Sequence, residues 1–266
     1  MTTVTDRFSD RVQNYVKFRP HYPEELVALL LNEKIISTDS VIADIGSGTG
    51  ISAELFLKNN FKVFGVEPNE LMRLAAETIL NEYLENKKFI SVNASAEHTT
   101  LENKSIDAII SAQAFHWFKQ DEFKLECKRI LKPTGKIILM WNDRRTESTD
   151  FLKVYEDFLQ MFGTDYKEVN HKNVQDKKIF DNFFACPNDG VERGEGNYKE
   201  FTLFNFQDVD FEGLKGRVLS SSYMPNESHA DYTHMINTLK KIFIRYQEKG
   251  KVRLEYDTKI YSGTIN

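Results

Sequence analysis

The stretch VIADIGSGTG, residues 41–50, joins a short apolar run to three glycines at alternate positions. Valine and isoleucine favour an extended strand. Gly46, Gly48 and Gly50 allow a tight turn, and they let a ligand approach the backbone without a Cβ in the way. A helical pattern follows at 51–59. A strand, a glycine loop and a helix in this order form ligand sites beyond the carboxyl ends of strands in open α/β sheets, so we expect a nucleotide-like ligand here.

The glycine spacing argues against two common nucleotide sites. The dinucleotide fingerprint G-x-G-x-x-G, counted from Gly46, requires its third glycine at position 51, where the chain has Ile51. A phosphate-binding P-loop requires a G-K-[ST] sequence, which does not follow the loop. The ligand is therefore expected to be neither a dinucleotide nor a nucleoside triphosphate held by a P-loop.

The rest of the first half repeats the strand pattern. Five short runs rich in valine and isoleucine read as strands, at 40–46, 61–67, 87–93, 105–111 and 135–141. Helical patterns separate most of these runs, and alternating strands and helices predict a parallel sheet with helices on both faces. We expect an α/β fold with a doubly wound Rossmann-like sheet.

The second half differs in pattern. Two late strand candidates, at 198–207 and 251–263, alternate apolar and polar residues as antiparallel edge strands do. The predicted fold is thus mostly parallel with antiparallel C-terminal edge strands and a helical cap. Three consecutive regions are expected. They are a ligand-binding core at 1–144 with an N-terminal lid over about 1–22, a helical and loop insertion at 145–197 shaping a substrate pocket, and C-terminal strands with a helix at 198–266.

Composition narrows the class of protein. The chain has 266 residues, 35 basic and 40 acidic side chains and a formal net charge of -5, so a nucleic-acid partner is not expected. Cys127 and Cys186 fit no metal spacing, and no metal is expected. No apolar run approaches the roughly 20 residues of a membrane span, and the N-terminus lacks a signal-peptide pattern. We expect a cytoplasmic protein with no membrane partner.

The ends of the second and third predicted strands carry further candidates. Glu67 follows Gly46 by 21 positions, and an acid there commonly accepts hydrogen bonds from ribose hydroxyls. The alternative for Glu67 is a solvated loop carboxylate. After the third strand, the small residues Ala94, Ser95 and Ala96 would let backbone amides approach a flat purine edge.

Five motifs in order give the chain a resemblance to a known family. They are DIGSGTG, VEPN, ASAE, IDAIISAQAFHWF and LKPTGKIILM. Their spacing resembles that of the class I S-adenosylmethionine-dependent methyltransferases, in the small-molecule branch that includes trans-aconitate and quinone-biosynthesis methyltransferases. The resemblance covers residues 8–142, and YVKFRPHYP at 15–23 is similar to the N-terminal motif of that branch. Ser95 stands where many relatives have Asp, so a hydroxyl or backbone contact replaces that carboxylate.

The resemblance implies S-adenosylmethionine as cofactor and a small-molecule methyl acceptor as partner. It implies that the amino-acid end of the cofactor lies against the glycine loop, with Asp44 accepting from its ammonium and Arg19 pairing with its carboxylate. Asp44 could instead cap the loop, and Arg19 could belong to an ordinary helix entry. The full set of implied cofactor-binding residues is Tyr15, Arg19, Asp44, Gly46, Ser47, Gly48, Gly50, Glu67, Pro68, Asn69, Met72, Ser95, Ala96, Glu97, Gln113 and Trp117.

Catalysis is expected to depend mainly on holding the nucleophile and the methyl group in line. A base is required when the acceptor must lose a proton, as phenols and alcohols do, and carboxylates need none. His116, past the fourth strand, is the candidate base, with a hydrogen-bonded wall residue as the alternative. Trp117 could face the sulfonium as a cation–π partner or be a core residue.

Four functions remain open at this stage. The leading one is methyl transfer to an oxygen or carbon nucleophile of a small molecule, with a carboxylate or a phenol as acceptor. The others are a nicotinamide-dependent dehydrogenase, a methyltransferase acting on RNA or protein, and a binding module without activity. The loop spacing, the SAQAFHW segment after the fourth strand and the presence of Glu67 each favour the leading function.

Overall fold

A computed structural model describes residues 12–164, 166, 177–185 and 198–265. The helices are α1 Val12–Phe18, α2 Glu25–Asn32, α3 Ile51–Lys58, α4 Glu70–Ile79, α5 Asn81–Glu85, α6 Gln120–Ile130, α7 Asp150–Phe162, α8 Lys177–Phe184, α9 Phe211–Leu219 and α10 Tyr232–Tyr246. The strands are β1 Val41–Ile45, β2 Lys62–Val66, β3 Phe89–Val92, β4 Ile106–Ala112, β5 Leu131–Arg144, β6 Tyr198–Val209 and β7 Val252–Gly263. A 3₁₀ turn covers Phe115–Trp117.

The strands form one seven-stranded sheet in the order β3-β2-β1-β4-β5-β7-β6. The pairs β1–β2, β1–β4, β2–β3 and β4–β5 are all parallel. The two late strands form the antiparallel edge pair. The predicted Rossmann-like fold is confirmed. The strand order reverses direction at β1 and β4, and such a switch point opens a crevice at the carboxyl ends of the strands.

The chain separates into two compact units that interleave along the sequence. We call residues 21–141, 177–185, 198–203 and 258–265 the sheet unit, and residues 12–20, 142–164, 166 and 204–257 the second unit. The two units interleave because β5, β6 and β7 each contribute residues to both of them. The three consecutive regions expected from the sequence stay a prediction.

In the sheet unit, alternation along the central strands produces two apolar cores. Ile42 and Ile110 point into the core that includes α2 and α3, whereas Ala43 and Ile109 point into the core that includes α6. All four side chains are fully buried. Strands covered on both faces read as nearly continuous apolar runs, and this explains why β1 and β4 were visible in the sequence.

The second unit has its own core, built from α7, α9, α10 and the adjoining part of β7. Phe158, Leu214, Leu239 and Tyr256 are at its centre, each at most 2% exposed. In α9, a Cβ on Gly216 would lie 2.1 Å from the Phe18 ring, so this glycine allows α1 to pack against α9. The N-terminal segment predicted as a lid therefore has a packing partner in its own unit from Val12 onward.

Two helices and one strand boundary were not anticipated from the sequence. Helix α8 lies in the insertion expected to contain helices and loops, and α9 lies between the two late strand candidates; neither helix was predicted individually, and they are eight and nine residues long. Strand β5 begins at Leu131, before the strand predicted at 135–141. Its register against β4 jumps from Leu131 to Lys136, so residues 132–135 form a bulge inside the strand.

None of the helices in the described part of the chain combines the length and the apolar character that crossing a membrane requires.

Candidate ligand-binding site at the glycine loop

The loop between β1 and α3 turns back on the end of β2. Gly46 N and Ser47 N both donate to the Val66 carbonyl, at 2.9 and 3.2 Å, and Gly50 N donates to the Ser47 carbonyl at 2.9 Å. The φ angles of the three glycines are +70°, +54° and +85°. Side chains with a Cβ avoid this left-handed region, so the alternating glycines are required by the shape of the turn itself.

The three glycines differ in what surrounds them. A Cβ on Gly46 would lie 2.6 Å from Ala114 Cβ, and one on Gly50 would lie 2.8 Å from Leu80 Cδ1. A Cβ on Gly48 would meet Met72 Sδ at an ordinary 3.7 Å. Gly46 and Gly50 thus serve close packing of the protein, whereas Gly48 leaves backbone open in front of the loop.

The Glu67 carboxylate ties the end of β2 to the loop. Its Oε2 accepts from Gly48 N at 2.9 Å and its Oε1 accepts from Asn69 N at 2.8 Å. Burial raises the pKa of Glu67, against the opposing effect of these two backbone donors. Each carboxylate oxygen retains a second acceptor position. Glu67 is buried, and a solvated loop carboxylate would be exposed, so the structure disagrees with that alternative.

Asp44 lies near the end of β1 and is 1% exposed. Its Oδ2 accepts from Ser52 Oγ at 2.6 Å, while its Oδ1 is buried and has no hydrogen-bond partner in the described part of the chain. Burial, reinforced by the charge of Glu67, raises the pKa of Asp44 to about 7, although the Ser52 hydroxyl opposes this. An unpaired buried acceptor is costly, and a cationic donor would satisfy it.

The buried carboxyl of Asp44 predicts a pH-dependent stability. As pH rises from about 4 to about 7, the unfolded chain loses the Asp44 proton while the folded chain keeps it, so the free energy of unfolding falls over this window. Asp44→Asn should remove that fall and raise the unfolding free energy at pH 8 by about 1–3 kcal/mol. Urea denaturation at pH 4, 6 and 8 measures it. Asp39→Asn, at an exposed position, is the control; a variant that tracks wild type at all three pH values would contradict the assignment.

The segment after β2 begins α4. Asn69 Oδ1 accepts from Met72 N at 3.0 Å and caps the helix. Asn69 and Met72 are buried, and Pro68 is exposed. The contact between the Gly48 position and the Met72 sulfur brings the start of α4 to the open side of the loop. The structure therefore brings together the residues predicted to border the adenine on this side.

The segments after β3 and β4 contact each other. Glu97 Oε1 accepts from Lys119 N at 3.0 Å. Ser95 and Glu97 are half-buried, and Ala96 is buried. Gln113 has a φ of +61°, unusual for a residue with a side chain, and its N donates to the Met140 carbonyl at 2.9 Å. Strained backbone of this kind is concentrated at functional sites.

His116 and Trp117 lie in the 3₁₀ turn after Gln113, with ring centroids 4.7 Å apart. Both side chains are half-buried. The fully packed aromatic residues here are Phe115 and Trp141, at 0% and 2% exposed, and the cation–π role of Trp117 stays a prediction. The Ala114 contact to Gly46 brings this segment to the glycine loop.

Tyr15 and Arg19 belong to the second unit. The Arg19 guanidinium lies 4.7 Å from the centre of the Tyr15 ring, so the helical spacing does bring the two side chains together. Arg19 Nη2 donates to the Ser220 carbonyl at 2.9 Å. Their role in cofactor binding stays a prediction.

Two residues of this site carried no readable signal in the sequence. Ser52 lies on α3 and holds Asp44 across the strand–helix turn. Thr49 is 2% exposed, and its hydroxyl finds no partner within the described ranges. Together with Asp44 Oδ1 and the open face of Gly48, this hydroxyl fits a polar ligand carrying an ammonium group. No group of three or more His, Cys, Asp or Glu residues that could hold a metal occurs in the described part.

Comparison with known proteins identifies the family. Residues 43–139 match a methyltransferase domain family. An uncharacterised methyltransferase-like protein of Schizosaccharomyces pombe is 34% identical over 140 residues, which are 52% of each chain. A protein of Dictyostelium discoideum named as a methyltransferase is 31% identical over 183 residues, covering 67% of this chain and 66% of that one. The match with the S. pombe relative spans about half of that protein's length.

The fold agrees with these relatives. The solved structure of a type II methyltransferase from Anaeromyxobacter dehalogenans superposes with a TM-score of 0.60 at 19% identity, covering 92% of this chain and 97% of that one. The matched domain begins in β1 and ends in β5, so it contains the glycine loop and all the strand ends described above. Residues 43–139 therefore form a methyltransferase domain, in agreement with the resemblance to the class I S-adenosylmethionine-dependent methyltransferases.

Proposed function

We propose that this protein transfers a methyl group from S-adenosylmethionine to an oxygen or carbon nucleophile of a small molecule. The observation that carries the proposal is the pairing of the open Gly48 backbone with two buried carboxylates, Glu67 and Asp44, of which Asp44 keeps an unpaired oxygen. The net charge of -5 favours a small acceptor over RNA.

In this proposal the sheet unit would supply contacts to the ammonium, the ribose and the adenine of the cofactor. Asp44 Oδ1 would accept from the ammonium, and Glu67 would accept from the ribose hydroxyls through the free positions on its oxygens. Asn69 and Met72 would border the adenine, with Ser95, Ala96 and Glu97 across from them. Tyr15 and Arg19 remain proposed partners of the cofactor's carboxylate.

The cofactor, when bound, supplies a methyl group on a sulfonium with a neutral thioether as leaving group. Because that leaving group departs readily, this chain's main task is to hold the acceptor in line and to exclude water. His116 is the proposed base for an acceptor that must lose a proton, and Trp117 the proposed aromatic neighbour of the sulfonium. A carboxylate acceptor would require no base.

Calorimetry tests the cofactor. S-adenosylhomocysteine should bind at one site per chain, and its affinity should rise as pH increases through about 7, because an ionised Asp44 attracts the ammonium. Asp44→Asn should bind more weakly and lose this pH dependence. NAD should not bind. Binding of NAD in place of S-adenosylhomocysteine would overturn the proposal. Release of S-adenosylhomocysteine across a panel of small carboxylates, phenols and quinones then identifies the acceptor.

A further inference from the structure

Two arginines of the second unit converge on the end of α9. Arg19 Nη2 donates to the carbonyl of Ser220 at 2.9 Å, and Arg217 Nη1 lies 3.4 Å from the hydroxyl of the same residue. Both side chains are half-buried. Burial lowers the pKa of Arg19, and the charge of Arg217 lowers it further. Two like charges are thus held side by side.

These arginines differ from others in the same unit. Arg144 pairs with Glu156, Arg145 pairs with Asp257 at 2.7 Å, and Arg253 pairs with Asp208 through two bonds of 2.7 Å. Within the ranges that the structure describes, no carboxylate lies within ion-pair distance of Arg19 or Arg217.

The hydrogen bonds of the converging pair are incomplete. Arg19 Nε is buried and finds no acceptor among the described residues. Arg217 makes contacts of 3.2 to 3.5 Å, all to hydroxyl oxygens of Ser220, Ser221 and Tyr256. These distances are long for guanidinium hydrogen bonds. Two half-buried guanidiniums with long or missing hydrogen bonds have donor capacity left for an anion.

Tyrosines surround the two guanidiniums. The Tyr15 ring stacks against Arg19, and the Tyr256 hydroxyl lies beside Arg217 while donating to Gln207 Oε1 at 3.0 Å. Burial raises the pKa of Tyr155, whose hydroxyl therefore stays protonated and able to donate. Guanidiniums with neutral hydroxyl donors make up the donor set that binds a carboxylate or a phosphate.

We propose that Arg19 and Arg217, with Tyr15 and Tyr155, form a binding site for the oxyanion of a small acidic ligand, a carboxylate or a phosphate. The inference rests on the proposed function for its biological meaning, since the methyl acceptor would then be an acidic small molecule. The site itself lies entirely within the second unit and can be tested without the cofactor.

Thermal unfolding of the full chain in sodium tricarballylate, malonate or inorganic phosphate, at constant ionic strength, tests the site. At least one of these anions should raise the melting temperature of the wild type in a saturable manner. Arg19→Gln and Arg217→Gln should weaken the apparent affinity at least tenfold.

Controls separate anion recognition from general effects. Arg253→Gln removes an exposed guanidinium that already has a carboxylate partner, so its anion response should equal that of the wild type. If Arg217→Gln does not fold, Arg217→Lys keeps the charge without the planar fork and should bind more weakly. No anion response in the wild type, or an equal response in Arg19→Gln and Arg217→Lys, would overturn the site.

A second measurement identifies the source of the oxyanion. If Arg217→Gln binds S-adenosylhomocysteine with the affinity of the wild type, the site belongs to a ligand other than the cofactor. A loss of that affinity in parallel with the anion response assigns the site to the carboxylate of the cofactor. Both results support the oxyanion site. If S-adenosylhomocysteine binds neither the wild type nor any variant, the proposed function is overturned, but the result of the anion experiment still stands.

Discussion

Gly48→Val should eliminate measurable cofactor binding, at least a 100-fold loss or about 2.7 kcal/mol, while the fold survives. A Cβ at Gly48 would meet only the Met72 sulfur, at 3.7 Å, so the branched side chain would occupy the position in which we propose that the ligand approaches. The left-handed φ of +54° adds a stability cost of about 1–3 kcal/mol. Calorimetry with S-adenosylhomocysteine measures binding, and circular dichroism with urea unfolding measures the fold.

Another glycine of the chain provides a matched control. Gly250 has a φ of +79° and nothing within 4 Å of its Cβ position, and it lies in the second unit. Gly250→Val should therefore cost similar stability and leave cofactor affinity unchanged. Gly50→Ala should behave in the opposite way, losing stability because its Cβ would overlap Leu80. Full cofactor affinity in Gly48→Val would show that the ligand does not approach this backbone.

His116→Ala should reduce turnover by about 10²–10⁴-fold when the acceptor is a phenol or an alcohol, the usual contribution of a general base. His116 follows β4 in the segment that contacts the glycine loop through Ala114, at the ligand side of the sheet. Cofactor affinity should change little, because the imidazole is not among the groups proposed to hold it. Steady-state kinetics and a pH–rate profile with the true acceptor measure the effect.

The same variant discriminates between acceptor classes. With a carboxylate acceptor no proton is released, so His116→Ala should act on KM and leave the shape of the pH–rate profile unchanged. His98→Ala, at an exposed histidine of the sheet unit, should leave turnover unchanged with either acceptor. Unchanged turnover in His116→Ala with a hydroxyl acceptor would reduce His116 to a wall of the pocket.

Much of the sheet unit was predictable because its signals are local. The strands β1 and β4 are short apolar runs, and the loop needs glycine at three positive-φ positions. Each of these features is imposed by backbone sterics or by burial on both faces, so it is readable within about ten residues. The position of Glu67 at the end of β2 was predictable for the same reason, since this residue follows an apolar strand at a fixed distance from the loop.

Other features depend on contacts between distant segments, which no local pattern encodes. The hydrogen bond from Ser52 to Asp44 and the raised pKa of that carboxyl follow from burial between β1 and α3. Helix α9 exists beside α1 because Gly216 accommodates the Phe18 ring, a contact across nearly 200 residues of chain.

The sequence by itself determined the sheet, the glycine loop and the strand-end residues, because periodicity and backbone sterics act over a few neighbouring residues. The tertiary structure alone decided which arginines have no carboxylate partner. Arg19 and Arg217 are 198 residues apart in the chain and look like Arg253, which is an ordinary surface residue. Their difference is a matter of which carboxylates lie nearby in space, and this depends on how the whole second unit packs.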